Sequence, residues 1–396
     1  MGGLERLVVE WANYRNRENP GSTRIVCLDT PGDLAAQVDG GAVDCVNACR
    51  ARRPMDWAAV LRLRRLFLKT GAEVIHSHNV AAWQYAALAC LGTKVRHIHT
   101  EHGTNVHYEG IVNRVRLAVI RRLTDQIVAV SESAAEELVI KNRIPRKDIV
   151  VIVNGVGERQ ESGVTSQKSE VREKMGISKD AFVMGSVGRL AQVKGYDRLI
   201  AAFAAINRSQ TLAHRPQTLD PSEAQSNVYG LMSIVSSPFL LLTGDGPERA
   251  ALEQQARDLG VSDRVIFAGY QAEPAPYLAA MNLFVLPSRS EGLSVALLEA
   301  MAAGVLVAVT DVGANREVVE NGKCGLILPD DETQWTEMLN VAMGRGEWVA
   351  GKIQFAQKRV REHYSLKVTM GGYERIYGTY NLPQDRKLGK RGHPWL

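Results

Sequence analysis

Two glutamates, Glu291 and Glu299, stand with no charge between them in the segment RSEGLSVALLEAMAAG. The spacing divides this stretch into a strand LFVLPS (283–288), a loop RSEG and a helical run SVALLEAMAAG. Ser294 has the chemistry of a helix N-cap. Val295, Leu297, Leu298 and Met301 form the face that buries the helix, and Gly304 ends it. Glu291 then lies in the loop beyond the strand, and Glu299 lies about one and a half turns into the helix. The backbone N–H groups of Gly292, Leu293 and Ser294 have no partner within the helix and face any anion in the crevice. A carboxylate accepts hydrogen bonds from hydroxyls. Two carboxylates flanking an anion site suit a ligand ordered hydroxyl–phosphate–hydroxyl, which is the layout of hexose, diphosphate and ribose in a nucleotide sugar.

A second stretch has related chemistry. After a strand ending at Val187 comes GRLAQVKGYDRLIAAF. Gly188 permits a tight turn, and Arg189 and Lys194 stand in a loop that opens a helix. Two cations at a helix N-terminus suit a phosphate. The segment LLTGDGPERAALEQQA repeats the strand–glycine–helix layout with Gly244 and Gly246, but Arg249 stands where a dinucleotide fingerprint needs its third glycine. Those glycines are therefore structural. Six histidines, His76, His78, His97, His99, His102 and His107, crowd one region. On strands, His76 shares a face with His78, and His97 with His99. Imidazole pairs can bind metal, but these read as residues packed at strand ends or lining the rim of a cleft, and no metal site is expected.

The elements that must position these groups alternate along the chain. TRIVCLD (23–29), EVIHSH (73–78), KVRHIHTEH (94–102), QIVAVS (126–131) and IVVIVNG (149–155) read as strands, and amphipathic runs separate them. The pattern resumes with AFVMGSVG (181–188), FLLLTGDG (239–246), RVIFAGY (264–270), LFVLPS (283–288) and VLVAVT (305–310). Strands alternating with helices predict parallel α/β sheets covered on both faces. Ligands in such sheets bind beyond the carboxyl ends of the strands. Two series predict two doubly wound, Rossmann-like domains with a cleft between them. The first covers 1–157 and the second 158–360, and 361–396 forms a C-terminal helix packing back toward the first domain, followed by a basic tail. The stretch 207–230 is polar and aperiodic and reads as an insertion in a helix-to-strand connection. The start, GGLERLVVEWANY, reads as a loop and a helix with no strand before them.

Bulk properties exclude several classes. The chain has 396 residues, a net charge of +5 and a sequence pI near 8.9; 45% of residues are hydrophobic and 23% charged. That is ordinary for a globular protein. No apolar run reaches membrane-spanning length, and the N-terminus is unlike a signal peptide. Five cysteines without zinc-ribbon spacing fit a reducing cytoplasm. Arg50, Arg52, Arg53, Arg62, Arg64 and Arg65, then Arg114, Arg116, Arg121 and Arg122, suit an anionic membrane surface. With 6% aromatic residues and none interleaved among these cations, nucleic acid is not an expected partner.

Taken together, the Glu291–Glu299 spacing, VGRLAQVKGYDRLIAAF, GDGPERAALEQQA, RVIFAGY, TDVGANREVVENGKCGLI and AVSES…VNGV resemble the retaining GT-B glycosyltransferases, group 1 or family 4. GGLE and HTEHGTN look closest to the exopolysaccharide-type sugar transferases. The resemblance implies a two-domain enzyme moving a sugar from a nucleotide-diphosphate donor to a glycan or lipid-linked acceptor with retention of configuration. It implies cell-surface or exopolysaccharide biosynthesis, no cofactor and no essential metal. Its location would be cytoplasmic, peripheral on the inner membrane face. It also implies roles for single residues. Arg189 and Lys194 would clamp the diphosphate, Glu299 would bind the ribose, and Glu291 would hold the transferred sugar. His102 would stand near that sugar, Gly2 and Gly3 would lie against donor phosphate and acceptor, and the backbone near Tyr270 would contact the base. Family members usually begin with a strand before the glycine pair, whereas Met1 here precedes Gly2 directly, so a central strand of the first domain is expected to be missing. The family's Asn-Gly-Val-Asp reads NGVG, ending at Gly157. The alternatives are a catalytically impaired nucleotide-sugar-binding protein, or another GT-B enzyme such as a nucleotide-sugar epimerase.

Overall fold

The computed structural model describes residues 3–48, 55–103, 111–157, 164–213, 238–344 and 346–378. The N-terminal unit contains α1 (Gly3–Glu18), β1 (Ile25–Cys27), β2 (Val43–Cys45), α2 (Trp57–Thr70), β3 (Val74–His78), α3 (Val80–Cys90), β4 (Arg96–Glu101), α4 (Ile111–Arg122), β5 (Gln126–Ala129), α5 (Glu132–Ile140) and β6 (Ile149–Val151). The C-terminal unit follows with α6 (Val164–Lys174), β7 (Val183–Val187), α7 (Tyr196–Ala213), β8 (Phe239–Thr243), α8 (Arg249–Asp258), β9 (Val265–Gly269), α9 (Ala275–Ala280) and β10 (Leu283–Leu286). It continues with α10 (Val295–Ala302), β11 (Leu306–Thr310), α11 (Asn315–Val318), β12 (Leu326–Leu328), α12 (Trp335–Met343) and α13 (Glu347–His363), and α14 (Leu366–Gly378) ends the described chain.

The C-terminal sheet is wholly parallel, in the order β12-β11-β10-β7-β8-β9. Counted within the unit, this is the doubly wound order 3-2-1-4-5-6, whose switch point lies between β7 and β10. Its strands are nearly continuous apolar runs: Leu283, Phe284, Val285 and Leu286 of β10 are all buried. That pattern marks a strand covered on both faces.

The N-terminal strands divide into a two-stranded sheet, β1-β2, and a four-stranded sheet, β3-β4-β5-β6, both parallel. α1 packs between the two, turning different faces to each. Leu7 and Trp11 pack with Ile98 and Val128, while Val9 packs with Ile25 and Val43. On the other side Val60, Leu63 and Phe67 of α2 cluster with Val26 and Ile75. Among the described residues no strand joins β1 to β3. The sheet is interrupted where the switch point of a doubly wound unit would lie.

Two expectations are corrected. Gly3 is not in a loop but already opens α1, because Leu4 to Trp11 supply an amphipathic first face that carries the helix to its start. The insertion expected from 207 does not begin there, since α7 runs through Ala213 and only 214–237 lie outside the described residues.

The chain crosses back at its end. Val156 and Ser365 form a parallel bridge, with Val156 N donating to Tyr364 O (2.9 Å) and Leu366 N donating to Val156 O (2.8 Å). A side chain at Gly155 would collide with the Ser365 carbonyl, so this crossing needs a glycine. Beyond it α14 lies on β3 and β4, where Tyr373 is fully buried and Arg96 donates to Ile376 O (2.8 Å).

Candidate active site

The cleft groups sit at the carboxyl ends of β7 and β10, on either side of the C-terminal switch point. After β7, Gly188 runs so close to Gly244 that a Cβ on Gly244 would strike the Gly188 carbonyl, and one on Gly246 would strike that of Leu190. These glycines are packing devices, and they let the 188–195 loop lie flat against β8. Gly195 adopts the left-handed conformation (φ 66°) beneath the Pro287 carbonyl and turns the chain into α7. Lys194, just before it, projects into the cleft. Arg189 is exposed on the same loop.

After β10 comes the loop that carries Glu291. Lys194 Nζ and Ser288 Oγ both donate to Glu291 Oε1 at 2.6 Å. Glu291 is buried, and its loop is anchored on several sides. Thr310 Oγ1 donates to Ser288 O (2.7 Å), Ala314 N to Gly292 O (3.0 Å), and Asn315 Nδ2 to Thr310 O (3.1 Å). Gly313 (φ 56°) lies so close to the Glu291 carbonyl that no side chain fits there. Arg289 pairs with Asp197 at 2.6 Å and its N–H donates to Val193 O (2.8 Å), which ties the two loops together. The Asp197 carboxyl is held below its usual range, chiefly by its hydrogen bond to Arg289.

α10 begins where expected, with the Ser294 hydroxyl accepting from Leu297 N (3.4 Å). Gly292, Leu293 and Ser294 lie at this N-terminus and are buried, and Glu299 follows in the second turn, 5% exposed. A Cβ built on Gly3 would lie 4.0 Å from Val295 Cβ, so α1 and α10 meet at their N-terminal ends. Arg6, one turn into α1, forms an ion pair with Glu299 across the cleft. Tyr270 is 44% exposed after Gly269, whose carbonyl accepts from Gly244 N (2.8 Å).

From the N-terminal side, the end of β4 reaches the same place. Glu101 Oε1 accepts from the backbone N–H groups of His102 (3.1 Å) and Gly103 (3.3 Å), which turns the chain over the cleft. The His102 carbonyl abuts Gly292. The ring of His102 turns toward the N-terminal core, with Nε2 3.0 Å from His78 Nδ1 and its centroid 6.0 Å from that of Trp11. Burial pushes its pKa down to about 3, so the imidazole is neutral. His76 and His78 do share a face, against Trp11, while His97 and His99 both contact Ser77 Oγ (2.9 and 3.0 Å). No group of three His, Cys, Asp or Glu side chains among the described residues is arranged to hold a metal ion.

The structure thus brings Lys194, Glu291, Gly292, Leu293, Ser294 and Glu299 together with Gly3 and the His102 backbone, and it sets Arg189 and Tyr270 on the rim. Gly2 and His107 lie outside the described residues. Sequence reasoning missed Arg6, Ser288, Thr310, Gly313 and Asn315. The last three stand in TDVGAN, a stretch matched as part of a pattern but given no task, because its hydrogen bonds reach back across more than 20 residues.

Chemically, the cleft offers two buried carboxylates separated by free amides of a helix N-terminus, with an ammonium group from one side and a guanidinium from the other. It can take hydroxyls at both ends of an anion.

Both halves of the chain have counterparts among known proteins. The family described as "Glycosyltransferase Family 4" matches residues 1–159, and "Glycosyl transferases group 1" matches residues 167–340. N-acetyl-alpha-D-glucosaminyl L-malate synthase of Bacillus anthracis is 26% identical over 347 residues, covering 85% of this chain and 82% of that protein. The lipopolysaccharide core biosynthesis glycosyltransferase LpsE of Rhizobium meliloti is 32% identical over 213 residues, about half of each protein (54% and 52%). Among solved structures, Anabaena HepE in complex with UDP-glucose superposes with a TM-score of 0.74 at 20% identity, covering 96% of each chain. The chain belongs to the group 1 glycosyltransferases and has their GT-B fold of two Rossmann-like units facing across a cleft.

Proposed function

We propose that this glycosyltransferase moves a hexose from a nucleotide-diphosphate donor to a glycan or lipid-linked acceptor, with retention of configuration, in cell-surface polysaccharide synthesis. The observation that carries the reading is the pair Glu291 and Glu299 on either side of the α10 N-terminus, with Lys194 Nζ 2.6 Å from Glu291. Glu299 holds the ribose, Glu291 the transferred sugar, and the amides of Gly292 to Ser294 lie on the diphosphate with Lys194 and Arg189. The C1–phosphate bond breaks as the acceptor oxygen bonds to C1 from the same face, and the acceptor proton passes to a phosphate oxygen. Negative charge grows on the leaving diphosphate, so fixed cations and amides stabilise the transition state more than the ground state. No metal takes part in this route. A nucleotide-binding neighbour in complex with UDP-glucose and a relative in lipopolysaccharide core synthesis support the substrate classes.

A donor panel with a product-release assay tests this. Glu299→Ala should weaken donor binding by about tenfold or more, the loss of a charge-assisted hydrogen bond to each ribose hydroxyl. NMR of the product's anomeric proton reads retention, and turnover should be unchanged by EDTA. Donor binding without transfer or hydrolysis would favour the impaired-binder alternative, which the interrupted N-terminal sheet makes worth testing.

We further assign the outer face of α2 and α4 to an anionic lipid surface. Trp57, Leu61 and Leu68 on α2 and Val115 and Val119 on α4 are exposed, among exposed Arg65, Lys69, Arg116 and Arg122. No helix among the described residues is long and apolar enough to cross a membrane. Vesicles with anionic lipid should sediment the protein at low salt and release it at high salt; equal binding to neutral vesicles would contradict the assignment.

A further inference from the structure

We infer that Arg6 competes with the donor: its guanidinium pairs with Glu299, and the ribose of an arriving nucleotide must displace it. The inference rests on the reading of Glu299 as the ribose carboxylate. Arg6 and Glu299 belong to different units of the fold, yet their side chains meet, with only 18% and 7% of each exposed. A carboxylate this buried is costly without a cation, and breaking such a pair by removing one partner is strongly destabilising. Arg6 is thus the cation that balances Glu299, and a ribose must offer that carboxylate hydrogen bonds in place of this pairing.

Arg6 also has somewhere to go. Its Nε lies 3.6 Å from Glu10 Oε1, one turn further along α1, and Glu10 is 36% exposed. Glu273 and Tyr270 lie near enough to act on the guanidinium as well, although burial dominates and holds its pKa below the ordinary arginine value. Glu10 offers the guanidinium a second carboxylate on its own helix, to which it can exchange from Glu299. A ribose diol occupying both oxygens of Glu299 would complete that exchange. The same exchange would remove the contact between α1 and α10 made by this pair, so the grip between the two units would depend on whether the donor is bound.

The consequence separates Arg6 from an ordinary ligand of the nucleotide. A cation that binds the diphosphate strengthens nucleotide binding, and a purely structural ion pair leaves it unchanged. A competitor for Glu299 weakens it. Isothermal titration of the full chain with UDP as the probe reads the difference. Arg6→Met is expected to bind UDP about tenfold more tightly, equivalent to about 1.4 kcal/mol, while its melting temperature falls. Arg6→Lys keeps the charge but offers a point donor in place of a planar fork, and it should lie between wild type and Arg6→Met. It also serves as the test should Arg6→Met fail to fold. Unchanged or weaker binding of UDP by the folded variants overturns the inference. Glu299→Gln made in the Arg6→Met background, where no competing cation remains, tells this failure apart from a failure of the site reading: if the double variant binds UDP as Arg6→Met does, Glu299 is not the ribose carboxylate. If the double variant loses affinity relative to Arg6→Met and neither Arg6 variant gains any, the donor site stands and the competition does not.

Discussion

Gly292→Ala tests the cleft by steric means alone. A Cβ at this position lies 2.5 Å from the His102 carbonyl oxygen, 3.3 Å from its carbon and 3.4 Å from Gly103 Cα. Ordinary contact begins near 3.4 Å, so a 2.5 Å approach leaves a deficit of about 0.9 Å. Neither side can give cheaply, because all three of these neighbours are backbone atoms. His102 and Gly103 are held by Glu101 Oε1, and Gly292 O is held by Ala314 N. The added methyl must therefore part the end of β4 from the α10 loop by most of that deficit. Overpacking of this kind costs about 1–3 kcal/mol of stability. A misplacement near 1 Å in a positioned site can lower turnover by about 10²-fold. The assay is steady-state donor turnover with thermal melting on the same samples. Gly103→Ala is the control, since a Cβ there meets nothing within 4 Å. Wild-type turnover in Gly292→Ala, or equal damage from Gly103→Ala, would refute the claim that a close approach of the two units builds this site.

Three further outcomes follow from the geometry. Lys194→Met removes the ammonium 2.6 Å from Glu291 and one cation from the diphosphate, so transfer should fall by about 10²-fold or more and the melting temperature should fall with it, because the buried Glu291 loses its cation; turnover within threefold of wild type would count against it. Gly313→Ala places a side chain at φ 56° against the Glu291 carbonyl and should cost about 1–3 kcal/mol, read by urea unfolding; an unshifted midpoint would contradict the anchoring argument. Acid should unfold the protein early. Burial lowers the pKa of His97 and His102 to about 3, below the unfolded value near 6.5, so the unfolded state binds more protons as pH falls below that value. Their contribution is complete above about pH 6.5 and is lost toward pH 3. Between pH 6 and pH 5 the pair should remove about 2 kcal/mol of stability. A flat profile over that interval would show the rings to be hydrated.

Periodicity alone was enough to read the α/β class, the two series of parallel strands and the α10 segment, because each rests on contacts within a few residues. Apolar runs such as Leu283–Leu286 declare a strand buried on both faces, and Ser294 declares a helix start. The Glu291–Glu299 spacing was legible for the same reason, since a loop and two helical turns fix how far apart those carboxylates stand. What sequence could not show were the groups that act on these residues from afar. Thr310 steadies the Glu291 loop through a bond to Ser288 O that crosses from β11 to β10, and nothing in TDVGAN announces that its backbone closes against that loop. Arg6 reads as one more surface charge on an amphipathic helix until the fold brings α1 against α10 and buries it on Glu299. His102 carries the same lesson. Its position at the end of β4 was plain, but only the packing of Trp11 and His78 turns its ring inward and leaves its carbonyl facing Gly292. Local patterns determined which elements form and which residues they carry into the cleft; the choice of partner for each charge there was made by tertiary contact, between neighbouring loops of one sheet for Lys194 and Glu291 and between the two units for Arg6 and Glu299, because burial and distance across such contacts are properties no single segment possesses.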